Sequence, residues 1–328
     1  MLTGKTVNHV NLWKLRLSMA GTLAIIFGLS TLVFAVVMSL AGVFDLITLG
    51  VLVVVINIVQ WLVAPYVVGA LYKVRELRED ENPQLYQAVK NLSVKSEISA
   101  PKLMLAQIPL PNAFAYGSPL SGSRIAVTQG LLSTLDAGEV EAVVGHELGH
   151  LKHKDVQVMM AVSFLPALFY YLGYSLMVSM MYQGERRNEG GSALIGMAFM
   201  AFSWVLNMFI LYLSRLREYF ADRHSVTVVD GGAQKLSLGL AKIVNASSRL
   251  GRNQKRNQNL SAFKALFIFD PDRAVSDSES IAAMRPPNGQ DLVQDIISKE
   301  PTFGDNLIEV FSTHPNIVKR LRALQALI

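Results

Sequence analysis

The stretch 143-VVGHELGHLKHKD-155 sets two histidines and a glutamate on one helical run, just before the chain turns apolar at Val156. Residues four apart on a helix share a face, so His146 and His150 project together, and two imidazole nitrogens in that register can reach one Zn2+ at about 2.1 Å. Glu147, one step round from His146, is placed to meet a water at the metal without ligating the metal itself, as a general base must. Upstream, Asp136 and Glu139 fit a capping box, and no proline interrupts the run to Asp155. The spacing therefore predicts one helix of about five turns leading straight into the apolar segment. Gly145 and Gly149 are poor helix formers whose missing side chains let another element or a substrate come close.

That apolar segment is one of four. The chain has 328 residues, enough for two ordinary domains, with 51% hydrophobic and only 17% charged residues, a low charge content for a soluble enzyme. The excess collects in four uncharged windows, Leu17 to Phe44, Leu46 to Tyr72, Val156 to Gln183 and Gly190 to Ser214. Each is about 25 residues or more, enough to cross a hydrocarbon core of about 30 Å. A signal peptide is the competing reading of the first, but its apolar run is about twice the usual length and a second follows at once. Lys5, Lys14 and Arg16 precede the first window, Lys73, Arg75 and Arg78 follow the second, and Arg215, Arg217 and Arg223 follow the fourth. This is a positive-inside distribution that puts both termini and the large polar segments in the cytoplasm. The net charge of +5 is thus topological, and nucleic acid is not an expected partner. With no cysteine, any metal must sit on histidine and carboxylate ligands.

A third ligand is needed. A histidine ten positions after His146 would complete a metzincin pattern, but that position is Val156. His153 lies too far along the helix to close a tetrahedron with both others. In SRLREYFADRH, after the fourth window, Glu218 and Asp222 are four apart. Glu218 is the expected third ligand, and Asp222 the acid that hydrogen-bonds a ligating histidine, His146. The two ligand helices are separated by two spans, so they emerge on the same side of a bilayer. If they continue without a break, His150 and Glu218 lie roughly 9 Å and 6 Å beyond the span edges.

NAFAYG (Asn112 to Gly117), VTQGLL (Val127 to Leu132), HELGHLKHKD (His146 to Asp155), SRLREYFAD (Ser214 to Asp222) and the C-terminal STHPNIVKRL together resemble the HtpX-type membrane zinc metalloproteases, which are related to the CAAX prenyl proteases. The resemblance implies one zinc per chain, Glu147 as catalytic glutamate, Glu218 as third ligand, and quality control of misfolded or damaged membrane proteins. One departure is RHSVTVVDGG after Asp222, which leaves His224 without a role. The expected fold is mainly α: four transmembrane helices plus a cytoplasmic gluzincin-type α+β metalloprotease domain with a small antiparallel sheet. Residues 1–72 are expected to form a transmembrane hairpin, 73–155 the first protease part, 156–214 a second hairpin and 215–328 the second protease part. The expected enzyme is a multi-pass zinc endopeptidase of the cell membrane, acting on membrane-protein or unfolded polypeptides beside the lipid bilayer. The alternatives are a prenyl-peptide protease and a zinc-binding scaffold without turnover, the latter disfavoured because it needs no Glu147. A metal transporter would carry histidines or acids inside the windows, and there are none.

Weaker signals remain. Lys102 to Gln107, Asn112 to Tyr116 and Ser123 to Thr128 read as the strands of the sheet. The second is an edge strand, so Asn112 and Ala113 are candidates to bind an extended substrate. His314 and Arg320 are candidate cations for an oxyanion. Leu236, Leu240 and Ile243 mark an amphipathic helix, and Asn207 is expected to hydrogen-bond across helices.

Overall fold

The computed structural model describes residues 46–183, 190–254 and 289–328. In chain order the elements are α1 (Leu46–Leu71), β1 (Val74–Glu76), α2 (Pro83–Lys95), β2 (Lys102–Ala106), β3 (Ala113–Ser118), β4 (Gly122–Thr128), α3 (Gln129–Thr134), α4 (Ala137–Lys152), α5 (Asp155–Gln183), α6 (Gly190–Val228), α7 (Gly232–Gln254), α8 (Gly289–Ile297), α9 (Phe303–Val310) and α10 (Ile317–Gln325). The chain divides into two compact units, one of residues 45–154 with 221–328, the other including Asp155–Phe220.

In the first unit the sheet runs β1-β2-β4-β3. The expectation of an antiparallel sheet is corrected: β2 and β4 pair in parallel, while β1 pairs β2 and β3 pairs β4 antiparallel. Strand periodicity reports which faces are buried but not strand direction, and the parallel pair arises because β4 inserts between β2 and β3. The loop that carries the chain from β2 to β3 packs over the start of α3, where a side chain at Gly130 would sit 2.1 Å from the Pro109 carbonyl. Both faces of the sheet are covered. Leu103, Leu105, Ile125 and Val127 join the main core with α2, α4, α7, α8 and α10. Met104, Ala106, Phe114, Tyr116 and Ala126 form a second cluster with Tyr72 and Val68 at the end of α1. The helix marked by Leu236, Leu240 and Ile243 is α7, with all three side chains buried.

α1 is 26 residues long, about 39 Å at 1.5 Å per residue. Val51, Ile58 and Tyr66 on it are 45–58% exposed. It covers the second expected span, whereas the first, Leu17 to Phe44, lies outside the described residues.

In the second unit α5 meets the apolar part of α6. A Cβ on Gly173 would lie 2.4 Å from the Gly196 carbonyl, and one on Gly196 would lie 2.8 Å from the Gly173 carbonyl, so the two backbones approach as only small residues allow. The Ser203 hydroxyl donates to the Pro166 carbonyl at 2.7 Å, and Phe169 meets Phe202 edge-on at 4.8 Å. Asn207, expected to bond across helices, instead donates within its own helix to the Ser203 carbonyl one turn back at 3.1 Å. Bulky Leu194, Trp204 and Phe209 point outward, 58–68% exposed. Among the described residues, two helices are long and apolar enough to cross a membrane, over Asp155–Met177 and Leu194–Val228.

Candidate active site

α4 begins with the expected capping box: Glu139 N–H donates to Asp136 Oδ1 at 2.9 Å and Asp136 N–H to Glu139 Oε2 at 3.0 Å. Lys242 of α7 holds the buried Glu139 carboxylate at 2.5 Å. Val140, Val143, Val144 and Leu148 are sunk in the main core, which fixes the rotation of α4 and so the direction of its other face. The helix is shorter than expected. It ends at Lys152, and His153 and Lys154 break it before α5 starts at Asp155. Lys154 adopts φ 52°, and His153 turns Nδ1 onto the Gly149 carbonyl at 2.7 Å, occupying an acceptor at the helix end. The premise of an unbroken helix into the span is therefore corrected.

On the other face of α4, the donor atoms of His146, Glu147 and His150 all lie within 4.8 Å of one another. His146 Nε2 and His150 Nε2 are 3.1 Å apart. Two nitrogens at about 2.1 Å from one tetrahedral ion would be separated by about 3.4 Å, so this pair fits a single divalent cation of zinc size. The donor types fit as well, since imidazole and carboxylate suit zinc. Among the described residues this is the one cluster of that kind.

Two of these side chains are held from behind. His146 Nδ1 lies 2.9 Å from Asp222 Oδ1 on α6, which leaves Nε2 as the nitrogen facing the cluster. Arg320 of α10 grips Asp222 with two bonds, Nε to Oδ2 at 2.7 Å and Nη2 to Oδ1 at 2.6 Å. Glu147 Oε2 accepts the Ala115 backbone N–H at 2.7 Å. Ala115 belongs to β3, the terminal strand of the sheet, so Glu147 is fixed to an edge. His146, Glu147 and Asp222 are 1–3% exposed.

The glycines explain how α6 reaches α4. A Cβ on Gly145 would lie 2.9 Å from Val229 Cγ2, and one on Gly149 would lie 3.0 Å from His224 Cβ and 3.1 Å from Ala221 Cα. The close approach read from the two glycines is therefore made by the end of α6. Ser225 locks the crossing by donating to the Ala142 carbonyl at 2.6 Å.

Glu218 stands one turn before Asp222 on α6 and is 2% exposed. Asn112 and Ala113 are wholly buried, and the Asn112 backbone bonds Thr128 through both its N–H and its carbonyl. His314 is half-buried in the turn before α10, its N–H donating to Ser312 Oγ at 3.2 Å. His224, unexplained in the sequence, lies 2.9 Å from Ser96 Oγ. The Ala115 amide carried no signal in the sequence, because a backbone donor is the same in every residue but proline.

The sequence matches peptidase family M48 over residues 79–328. It is 39% identical over 281 residues to the protease HtpX homolog of Thermoplasma acidophilum, an overlap covering 84% of this chain and 83% of that one. It is 33% identical to the protease HtpX homolog of Thermoplasma volcanium over 98% of this chain and 97% of that one. In fold it is similar to Ste24p of S. mikatae, with a TM-score of 0.52 at 17% identity, over 92% of this chain but only 64% of the length of Ste24p. With a His-Glu-x-x-His helix whose side chains could hold a metal ion and a family match over most of its length, the chain belongs to peptidase family M48 and is a metallopeptidase.

Proposed function

We propose that this chain is a multi-pass membrane zinc endopeptidase that cuts misfolded or damaged membrane proteins on the cytoplasmic side. The observation that carries the reading is the convergence of His146 and His150 with Glu147 beside them, His146 held by Asp222 and Glu147 by the Ala115 amide. His146 and His150 would hold the zinc, with Glu218 as third ligand. In support, Glu218 is a buried carboxylate one helical turn from the aspartate that already touches His146. Zinc bound there supplies Lewis acidity toward a carbonyl oxygen and brings the pKa of water down to about 7.

The chain's own residues do the rest. With Oε2 on the Ala115 amide, Glu147 keeps Oε1 to take the proton of the attacking water and then hand it to the leaving amine nitrogen. β3 offers the backbone edge along which an extended substrate would lie, and the buried Asn112 and Ala113 would fix the start of that edge, Asn112 through its two bonds to Thr128. His314 is the remaining candidate donor to the oxyanion, since the Arg320 fork is occupied by Asp222. Membrane attachment is supported by the two long apolar helices, and the cytoplasmic placement by Lys73, Arg75, Arg78, Arg215, Arg217 and Arg223 at span ends.

Glu147→Gln keeps every metal ligand and removes the base. Zinc content should be unchanged while cleavage of casein falls about 10²–10⁴-fold. Full activity in that variant would remove the mechanism. Parallel digestion of a farnesylated peptide and an unmodified membrane protein separates the proposed substrate class from prenylated peptides, which should be cut no better.

A further inference from the structure

We infer that Arg320 is a positioning residue for the metal site: it clamps Asp222, and through Asp222 fixes the His146 ring so that Nε2 is aimed into the ligand cluster. The inference rests on the reading of His146 as a metal ligand.

Arg320 is 1% exposed and, among the described residues, is the largest of the fully buried side chains. A cation so placed needs a fixed counter-charge, and the two parallel bonds to Asp222 set the plane of that carboxylate. Asp222 in turn presents Oδ1 to His146 Nδ1. A neutral imidazole with its proton held on Nδ1 carries its lone pair on Nε2, the form a metal requires. Nη2, which holds Asp222 Oδ1, also lies 3.2 Å from His146 Nδ1 and 3.3 Å from Nε2, so the clamp sits directly beside the ring it positions. The clamp comes from the last helix: Leu321 and Leu324 seat α10 in the main core, and Lys319 beside Arg320 pairs with Glu309. A donor fork so committed is unsuited to follow charge developing on a substrate oxygen, which separates this role from that of an oxyanion cation.

The test uses full-length protein in detergent, with zinc affinity measured by chelator competition and turnover measured separately. Arg320→Met should weaken zinc binding about 10–100-fold, the usual loss when a partner of a ligating histidine is removed. Arg320→Lys should recover little of it, because an ammonium offers no fork. Asp222→Asn combined with Arg320→Met should bind zinc no more weakly than Asp222→Asn alone, since both act through one ring. Wild-type affinity in Arg320→Met with a lower kcat would overturn the inference and assign the cation to the reacting oxyanion. Multiplied losses in the double variant would overturn it too. If Arg320→Met does not fold, Arg320→Lys and the double variant, which removes both buried charges, carry the same comparison, and unchanged affinity in Arg320→Lys contradicts the clamp. His146→Ala is run alongside: if it keeps zinc, the metal-site reading has failed, whereas zinc loss there with none in the Arg320 variants fails the clamp alone.

Discussion

The two ends of α6 expose opposite chemistry. Toward its start, Leu194, Trp204 and Phe209 face outward while Gly196 and Ser203 sit against α5. Toward its end, Arg223 and Thr227 face outward while Asp222 and Ser225 are buried against α4. A single helix thus turns apolar groups to its surroundings over one stretch and polar groups over the next. Degree of burial does not distinguish the two; the chemistry of the exposed face does, and it assigns lipid to the first and water to the second. The lesson extends to the buried faces. Small residues let helices touch where the surroundings give no hydrophobic drive, whereas at the site glycines do the same job so that a charged aspartate can reach a histidine.

Three substitutions and two controls test that contrast, the three in falling order of effect. Trp204→Arg puts a charge near the middle of the lipid side and should cost about 2.5–3.5 kcal/mol of insertion, whereas Thr227→Arg on the water side should cost about nothing. A membrane-insertion assay reads both, and equal effects would erase the distinction. Gly145→Ala forces a methyl to within 2.9 Å of Val229 Cγ2, and overpacking of that kind costs about 1–3 kcal/mol. Thermal unfolding should register the loss together with weaker zinc binding, because the same crossing carries Asp222. Ser203→Ala removes the bond to Pro166, and polar contacts between membrane helices average about 0.6 kcal/mol. A melting shift larger than that of Gly196→Ala, which forces a methyl to within 2.8 Å of the Gly173 carbonyl, would mean that α5 and α6 associate through polar contacts more than through backbone approach.

What could be read from the sequence follows from the range of each interaction. Helical spacing placed His146, Glu147 and His150 together because i to i+4 geometry is local, and the Asp136–Glu139 box was legible for the same reason. Asp222 facing His146 was reachable only by pairing two distant motifs. Strand direction was not legible, since parallel and antiparallel neighbours share an alternation of period two, and β1 is too short to carry a pattern. The break at His153 and Lys154 was hidden because it depends on a left-handed lysine, a residue with no preference for that conformation. Arg320 looked like a free cation because sequence shows charge without partners; its grip on Asp222 spans 98 positions.

The central claim is a single zinc held by His146, His150 and Glu218, and zinc bound per chain in Glu218→Gln against the unaltered protein tests it most directly. The account predicts about one equivalent in the unaltered protein, removable by a strong chelator, and clearly less in the variant after the same mild wash. Equal zinc retention in the two, or purified protein that takes up no zinc at all, would contradict it.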